Sequence, residues 1–256
     1  MALNELGSTG LQVSRLGFGA FKIGRNQKTK YQTHYDLPSD QAVHQLLDGV
    51  LDCGINLFDT APAYGESEAR IGRYLRESGR RDEVVLCSKV GETFEDGSSS
   101  YAFDRSSVER SLDTSLERLG TGHIDLVSVH SDGKDLDIIR RSDVLEVLEE
   151  RRARGEVRAI GFSGKTLEGH LACLEAEHPI DVLMVELNLL EQSQLPILAP
   201  AAEAGVGILI KKGLASGRLE ASEALPWLLS HEAIGSVVVG GLSLDHVRAN
   251  LVHVPG

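Results

Sequence analysis

One punctuation mark recurs along this chain and limits what it can fold into: a helical pattern stops at a glycine, and a short β-branched or apolar run begins at once. Cys53-Gly54 leads into Ile55-Asn56-Leu57-Phe58, Arg154-Gly155 into Val157-Arg158-Ala159-Ile160-Gly161, and Ala204-Gly205 into Val206-Gly207-Ile208-Leu209-Ile210. A glycine just past a helix takes the left-handed conformation that caps the last turn, so the chain can turn straight into a strand. Eight such runs are read as strands, at 15–20, 55–59, 84–89, 124–130, 157–163, 182–188, 207–211 and 236–240. Most are apolar nearly throughout, as strands covered on both faces are. Helical patterns lie between them, at 39–53, 67–80, 105–119, 142–154, 166–176, 194–204, 222–231 and 244–252. Asp104 offers a polar cap to the third of these, in which Leu112, Leu116 and Leu119 recur. Eight strands alternating with eight helices, at roughly 30 residues per unit, predict an α/β fold of the (β/α)8 TIM-barrel type. A doubly wound sheet is the other arrangement the alternation allows.

At 256 residues the chain has room for one large barrel or two small domains. No linker, low-complexity tract or charge block divides it, so residues 1–256 are read as a single barrel domain. Residues 3–13, with Gly7 and Gly10, are expected to form an N-terminal β-hairpin closing the barrel floor. The polar stretch 22–37 and the Gly- and Ser-rich stretch 92–101 are expected to be loops after the first and third strands.

A formal net charge of −12 argues against a nucleic-acid partner, whose backbone calls for a basic face. It does not exclude a phosphate-bearing cofactor, which a few local lysines or a helix N-terminus can hold. Cys53, Cys87 and Cys173 are widely spaced and odd in number, which suits a reducing cytosol. Cys53 and Cys87 fall in apolar patterns and read as small buried hydrophobes. The N-terminus lacks a basic-then-apolar leader, and no apolar run approaches the ~20 residues that cross a bilayer. A cytoplasmic protein without a membrane partner is expected. The histidines are scattered without ligand spacing, so no metal is expected. Nothing in the pattern bears on oligomeric state.

Within this frame one segment stands out: Asn56-Leu57-Phe58-Asp59-Thr60-Ala61-Pro62-Ala63-Tyr64-Gly65. It ends an apolar strand on a carboxylate and opens into a Pro/Gly loop that carries a phenol. In a barrel of parallel strands, the carboxyl ends of the strands carry the chemistry. The next two strands end on Lys89, in Leu86-Cys87-Ser88-Lys89, and on His130, in Leu126-Val127-Ser128-Val129-His130. A lysine closing an otherwise apolar strand is costly unless paired, and Asp59, one strand over, is its natural partner.

These residues resemble the aldo-keto reductase family, and the likeness covers nearly the whole chain. It runs from the hairpin and Leu16-Gly17-Phe18-Gly19 through the FDTAPAYG segment, Lys89, His130 and Gly161-Phe162-Ser163 to Leu214-Ala215-Ser216-Gly217 and Asn250-Leu251. The resemblance implies NADPH-dependent reduction of the carbonyl group of an aldehyde or ketone, with Asp59, Tyr64, Lys89 and His130 as the catalytic residues. Hydride transfer to a carbonyl generates alkoxide character, so a proton donor has to lie within hydrogen-bond reach. Tyrosine, with a reference pKa of about 10, needs help to serve. An adjacent Lys89 ammonium stabilises its phenolate, Asp59 keeps Lys89 charged, and His130 orients the substrate oxygen. For the cofactor the resemblance implies contacts at Ser163 and Gly164, at Lys211, Lys212, Gly213, Leu214 and Ser216, and at Gly240, Gly241, Ser243, His246 and Asn250. Phe21, Phe94 and Tyr101 are candidate aromatic walls for the substrate pocket.

The chain departs from the family pattern in three places. The usual Ser-Asn and Gln clamp on the nicotinamide carboxamide is reduced to Ser163, with Gly164 and Met184 at the other positions and Glu186 and Asn188 nearby. The usual Lys/Arg pair for the 2′-phosphate is replaced by Gly240-Gly241-Leu242-Ser243, with His246 where the Arg would sit, while positive charge stands at Lys211-Lys212. NADPH is the expected cofactor and NADH the second choice. Little chain separates Gly217 from the next helix, so the pocket is expected to be open. Three other readings compete. Ala159-Ile160-Gly161-Phe162-Ser163-Gly164-Lys165-Thr166 nearly matches a phosphate-binding P-loop, which would make an NTPase. A nucleotide-binding redox sensor or regulatory protein with slow turnover fits the reduced clamp. A barrel lyase would use Lys89 as a Schiff base.

Overall fold

In the computed structural model, which describes residues 2–29, 31 and 34–254, the eight expected strands close into a parallel barrel. The chain opens with an antiparallel hairpin of β1 (Leu3–Glu5) and β2 (Gln12–Ser14). The barrel follows as β3 (Leu16–Gly19), β4 (Leu57–Asp59), β5 (Val85–Val90), β8 (Ile124–His130), β9 (Val157–Ser163), β10 (Val182–Glu186), β11 (Gly207–Lys211) and β12 (Ile234–Gly240). Each strand pairs with the one before it, and β12 closes on β3. A second hairpin, β6 (Glu92–Glu95) and β7 (Ser98–Tyr101), stands outside the barrel. The helices are α1 (Phe21–Gly24), α2 (Asp40–Asp52), α3 (Ser67–Ser78), α4 (Arg105–Leu119), α5 (Asp135–Arg141), α6 (Val144–Ala153), α7 (Leu167–Leu174), α8 (Leu198–Glu203), α9 (Ala221–Leu229) and α10 (Leu244–Leu251). None of the described helices is long and apolar enough to cross a membrane.

The glycine punctuation has the expected cause. Gly54, Gly155 and Gly205 adopt φ of +81°, +79° and +72°, where a side chain would be strained. Asp104 caps α4 by accepting from Ser107 N. Val43, Leu46, Leu47, Val50 and Leu51 of α2 turn toward the barrel, each burial contributing roughly 1.5–3 kcal/mol before conformational entropy is counted.

Side chains alternate along each strand, so one parity points into the barrel. Leu57, Cys87, Leu126, Ala159, Val182, Met184 and Leu209 fill its lower interior together with Leu6 and Val13 from the N-terminal segment. The hairpin is thus the expected floor plug. It is stapled by Asn56, whose Oδ1 accepts from Ser14 N at 2.8 Å and whose Nδ2 donates to Gln12 O at 2.8 Å. The same parity, carried upward, places Asp59, Lys89, His130, Ser163, Glu186 and Lys211 on the inward face at the carboxyl ends.

Several expectations need correction. Segment 92–101 is a hairpin rather than a loop, because Asp96 and Gly97 both take positive φ (+48° and +74°) and form the tight turn an Asp-Gly pair favours. Segment 22–37 begins inside α1, and Lys30, Gln32 and Thr33 lie outside the described residues, as do Met1, Pro255 and Gly256 at the ends. The helix expected at 142–154 is preceded by a separate α5. Ser142, extended at ψ 160°, parts the two and donates from its hydroxyl to Ile138 O. The helix expected at 194–204 starts as a 3₁₀ turn, Leu195–Ile197. Cys53 caps α2 and is only partly buried, unlike Cys87.

Candidate active site

The four candidate catalytic residues converge at the top of β4, β5 and β8. Lys89 Nζ donates to Asp59 Oδ1 at 2.6 Å and to Thr60 O at 2.8 Å. The two side chains are 1% and 7% exposed. Burial alone would lower the Lys89 pKa, but Asp59 and Tyr64 reverse that and hold it above its ordinary value. Two of the three ammonium N–H bonds are thereby used, and the third is free for Tyr64. The Tyr64 ring, closing the 3₁₀ turn Pro62–Tyr64, lies with its centroid 4.8 Å from Lys89 Nζ. Burial pushes the phenol up to about 12, Lys89 pulls it down, and Asp59 opposes Lys89.

The Tyr64 turn is held by close backbone packing. A Cβ on Gly24 would fall 2.2 Å from both Tyr64 O and Ser67 N, so only glycine lets α1 approach. Arg25 Nη1 donates to Ala63 O at 2.9 Å, and the Phe21 ring meets Tyr64 edge-on at 5.1 Å.

The His130 ring stands 6.3 Å from that of Tyr64, measured between centroids. Its Nδ1 is 2.9 Å from Glu92 Oε2, an ion-pair distance whose alignment falls outside good hydrogen-bond geometry. Burial lowers the His130 pKa, Lys89 and Lys211 lower it further, and Glu92 acts against them. Burial would raise the Glu92 carboxyl, but His130, with Ser99 and Tyr101 adding to it, brings the group down to about 2. Glu92 was absent from the sequence-based candidates. Its position just past the carboxyl end of β5 was the available signal.

These residues open onto a cavity of about 570 Å³. Its walls include Phe21, Tyr31 and Tyr101, with Arg25, Lys28 and Lys165 at the rim. Phe94 does not line it; its ring lies under the Arg25 guanidinium, 3.3 Å from the centroid. A groove of about 270 Å³ adjoins the cavity at Gly240 and is lined by Gly241, Ser243, His246 and Asn250, with Lys22 on the facing side. No atom lies within 4 Å of where a Gly241 Cβ would stand, so main chain is open to the groove there. The neighbouring loop holds Lys212, Ala215 and Ser216 at φ of +56°, +47° and +61°. Left-handed non-glycine residues cost of order 1 kcal/mol or more each and gather at ligand loops. Gly213 is buried, Leu214 packs on the core and Ser216 reaches the cavity. A cleft of adjoining compartments, with open main chain at one end and the acid–base residues at the other, fits an elongated nucleotide.

Lys211, which ends β11, and Lys212, which opens the loop, are both turned inward. Lys212 Nζ pairs with Glu186, while Lys211 Nζ donates to Ser163 Oγ at 2.9 Å and Gly164 O at 2.7 Å. Asn188 is buried and spends its Nδ2 on Lys212 O at 3.1 Å. At Gly164 a Cβ would meet the Nε2 of fully buried His170 at 2.7 Å, so the imidazole fills the space a clamp side chain needs. His170 is held in place by Gln194 at its Nδ1. The P-loop-like turn is closed to phosphate. Buried Asp135 already accepts from Lys165 N at 2.8 Å and Thr166 N at 2.7 Å, placing a carboxylate where the anion would sit.

A closed (β/α)8 barrel whose strand ends carry a buried lysine–aspartate pair, a tyrosine and a histidine defines a class of barrel oxidoreductases. The chain belongs to the aldo/keto reductase family, whose model matches residues 15–226; members are oxidoreductases that use nicotinamide cofactors. It is similar to a protein of Pseudomonas aeruginosa described as an aldo-keto reductase, at 40% identity and a TM-score of 0.88, covering 98% of this chain and 93% of that one. It is also similar to the holo form of aldo-keto reductase AKR11C1 from Bacillus halodurans, at 26% identity and a TM-score of 0.84, covering 100% and 91%. Among curated relatives, aldo-keto reductase YhdN of Bacillus subtilis is 30% identical over 79% of this chain and 59% of its own length. L-galactose dehydrogenase of Arabidopsis thaliana is 28% identical over 98% and 88%. The chain therefore spans less than two thirds of the former and most of the latter.

Proposed function

We propose that this chain, working as one barrel domain, reduces the aldehyde or ketone group of a small molecule with NADPH, and that Tyr64 is the general acid. The observation that carries the reading is the buried Lys89–Asp59 pair beneath the Tyr64 ring. The bound nicotinamide supplies the hydride. Tyr64 gives its proton to the oxygen that gains charge, and the third N–H of Lys89 steadies the phenolate left behind. Asp59 keeps Lys89 charged and fixed through the cycle. His130, whose ring lies 6.3 Å from that of Tyr64, orients the substrate oxygen beside the acid. NADPH is chosen over NADH on Lys22 and His246 in the groove, which bring an ammonium and an imidazole to a 2′-phosphate. Since one relative is named for dehydrogenation of a sugar, the reverse reaction on an aldose belongs to the same proposal.

The test is cofactor consumption with NADPH and NADH over a panel of aldehydes, quinones and ketosugars, with sugar oxidation run in parallel. Turnover faster with NADPH supports the reading, and equal efficiency with NADH removes the preference. Tight nucleotide binding without turnover on any substrate favours the second reading, a slow redox-sensing or regulatory protein. The seat of His170 against Gly164 is the observation behind it.

A further inference from the structure

Lys211 closes β11 as Lys89 closes β5, on the same inward face, yet the two amines are held differently. Lys89 has a carboxylate at 2.6 Å. Lys211 Nζ has two neutral acceptors, Ser163 Oγ at 2.9 Å and Gly164 O at 2.7 Å, and among the described residues no carboxylate lies within 4 Å of it. To reach Ser163 its side chain passes over β10, whose inward Glu186 is turned to Lys212 instead. An ammonium spending two N–H bonds on neutral oxygens keeps one for a ligand. Ser163, accepting from Lys211, donates to no group among the described residues, so its own proton is also available. Lys211 lines the cavity together with His130, and His130 pairs in register with Ser163.

We propose that Lys211 is a cofactor-binding residue: it fixes the Ser163 hydroxyl, and its spare ammonium N–H joins that hydroxyl's proton in holding the amide oxygen of the nicotinamide. The inference rests on the reading of the cleft as a nicotinamide site. It gives the amide a second donor beside Gly164, where His170 leaves no room for a side chain.

The amine is faced by Lys212 just past the end of β11, Glu186 on β10, Lys89 on β5, Asp135 on α5, His130 on β8 and His170 on α7. Burial, then repulsion from Lys212 and Lys89, pushes Lys211 down to about 7, with Glu186 and Asp135 opposing. The neutral amine has only two N–H bonds, both already used, and turns a lone pair toward the ligand oxygen. An acceptor therefore binds the protonated form and raises its pKa. Affinity is full below the free-state pKa and is lost as pH rises through the bound-state value.

The test is calorimetric titration of the wild type, Lys211→Met and Lys211→Arg with NADPH at about pH 6 and about pH 9, on either side of the shifted amine. Arginine keeps the cation across that range and guards against a variant that does not fold. The nucleotide's own phosphate titrates alike in all three proteins. The wild-type Kd is expected to rise about tenfold from the lower to the higher pH, the size of one charged hydrogen bond. In either variant that step should be absent. A step of wild-type size in either folded variant overturns the role of Lys211 and leaves the nicotinamide reading standing. No binding to the wild type at either pH overturns the nicotinamide reading itself.

Discussion

Lys89 Nζ lies 2.6 Å from Asp59 Oδ1 with both side chains sealed from solvent, and this pair sets the charge beneath Tyr64. Its two members come from adjacent strands whose pairing ends at Asp59 and Cys87, so the ion pair also ties the top of β4 to that of β5. Taking two charges out of water is repaid only when geometry is tight and the remaining donors are satisfied. Here Thr60 O takes a second N–H.

Breaking the pair from one side should therefore cost both stability and activity. Lys89→Met leaves Asp59 buried without a partner, an error worth about 3–5 kcal/mol. It should lower the urea midpoint strongly and abolish turnover. The double variant Asp59→Asn with Lys89→Met removes both charges and should recover much of the stability and none of the activity. Urea melts of the two variants against wild type give the comparison. A double variant no more stable than Lys89→Met would contradict the account.

Glu92 should act on His130. Glu92→Gln removes the group that raises the imidazole pKa, so His130 should titrate at still lower pH, measured by NMR of its ring protons. The carboxyl itself is held at about 2, below its ordinary 4.5. A depressed acid stabilises the fold fully above its unfolded pKa and loses that contribution as pH falls through the folded one. The stability gap between wild type and Glu92→Gln should close between about pH 4.5 and pH 2. A constant gap would mean that the carboxylate is not linked to folding.

Restoring an asparagine at position 164 should not tighten nucleotide binding by itself. Its Cβ would meet His170 Nε2 at 2.7 Å, and His170 cannot swing away from Gln194 without leaving a buried group unpaired. Gly164→Asn should bind NADPH no better than wild type and melt lower. Gly164→Asn combined with His170→Ala should bind more tightly than Gly164→Asn alone. Tighter binding by the single variant would show that His170 is not the obstacle.

The barrel was legible because its signals are local. The strands at 124–130, 157–163 and 207–211 match the observed β8, β9 and β11 end to end, each a mostly apolar run. Asp59, Lys89 and His130 were legible for the same reason, as polar residues ending apolar strands. Contacts made across the barrel left no such trace. Nothing near Gly164 in the chain announces His170 in its space, and nothing near Lys211 announces that its amine crosses β10 to Ser163 instead of facing the groove. Asp96-Gly97 did carry a turn signal, but the polar serines around it mask the strands it joins.

The most direct test of the central claim is transfer of label from NADPH deuterated at the nicotinamide to an aldehyde carbon, followed by mass spectrometry in wild type and Tyr64→Phe, with nucleotide affinity measured on the same samples. The wild type should yield deuterated alcohol. Tyr64→Phe should bind NADPH with near wild-type affinity and form labelled alcohol slower by about 10²–10⁴-fold, the usual worth of a positioned acid. Labelled alcohol formed by Tyr64→Phe at the wild-type rate would contradict the assignment of Tyr64 as the proton donor.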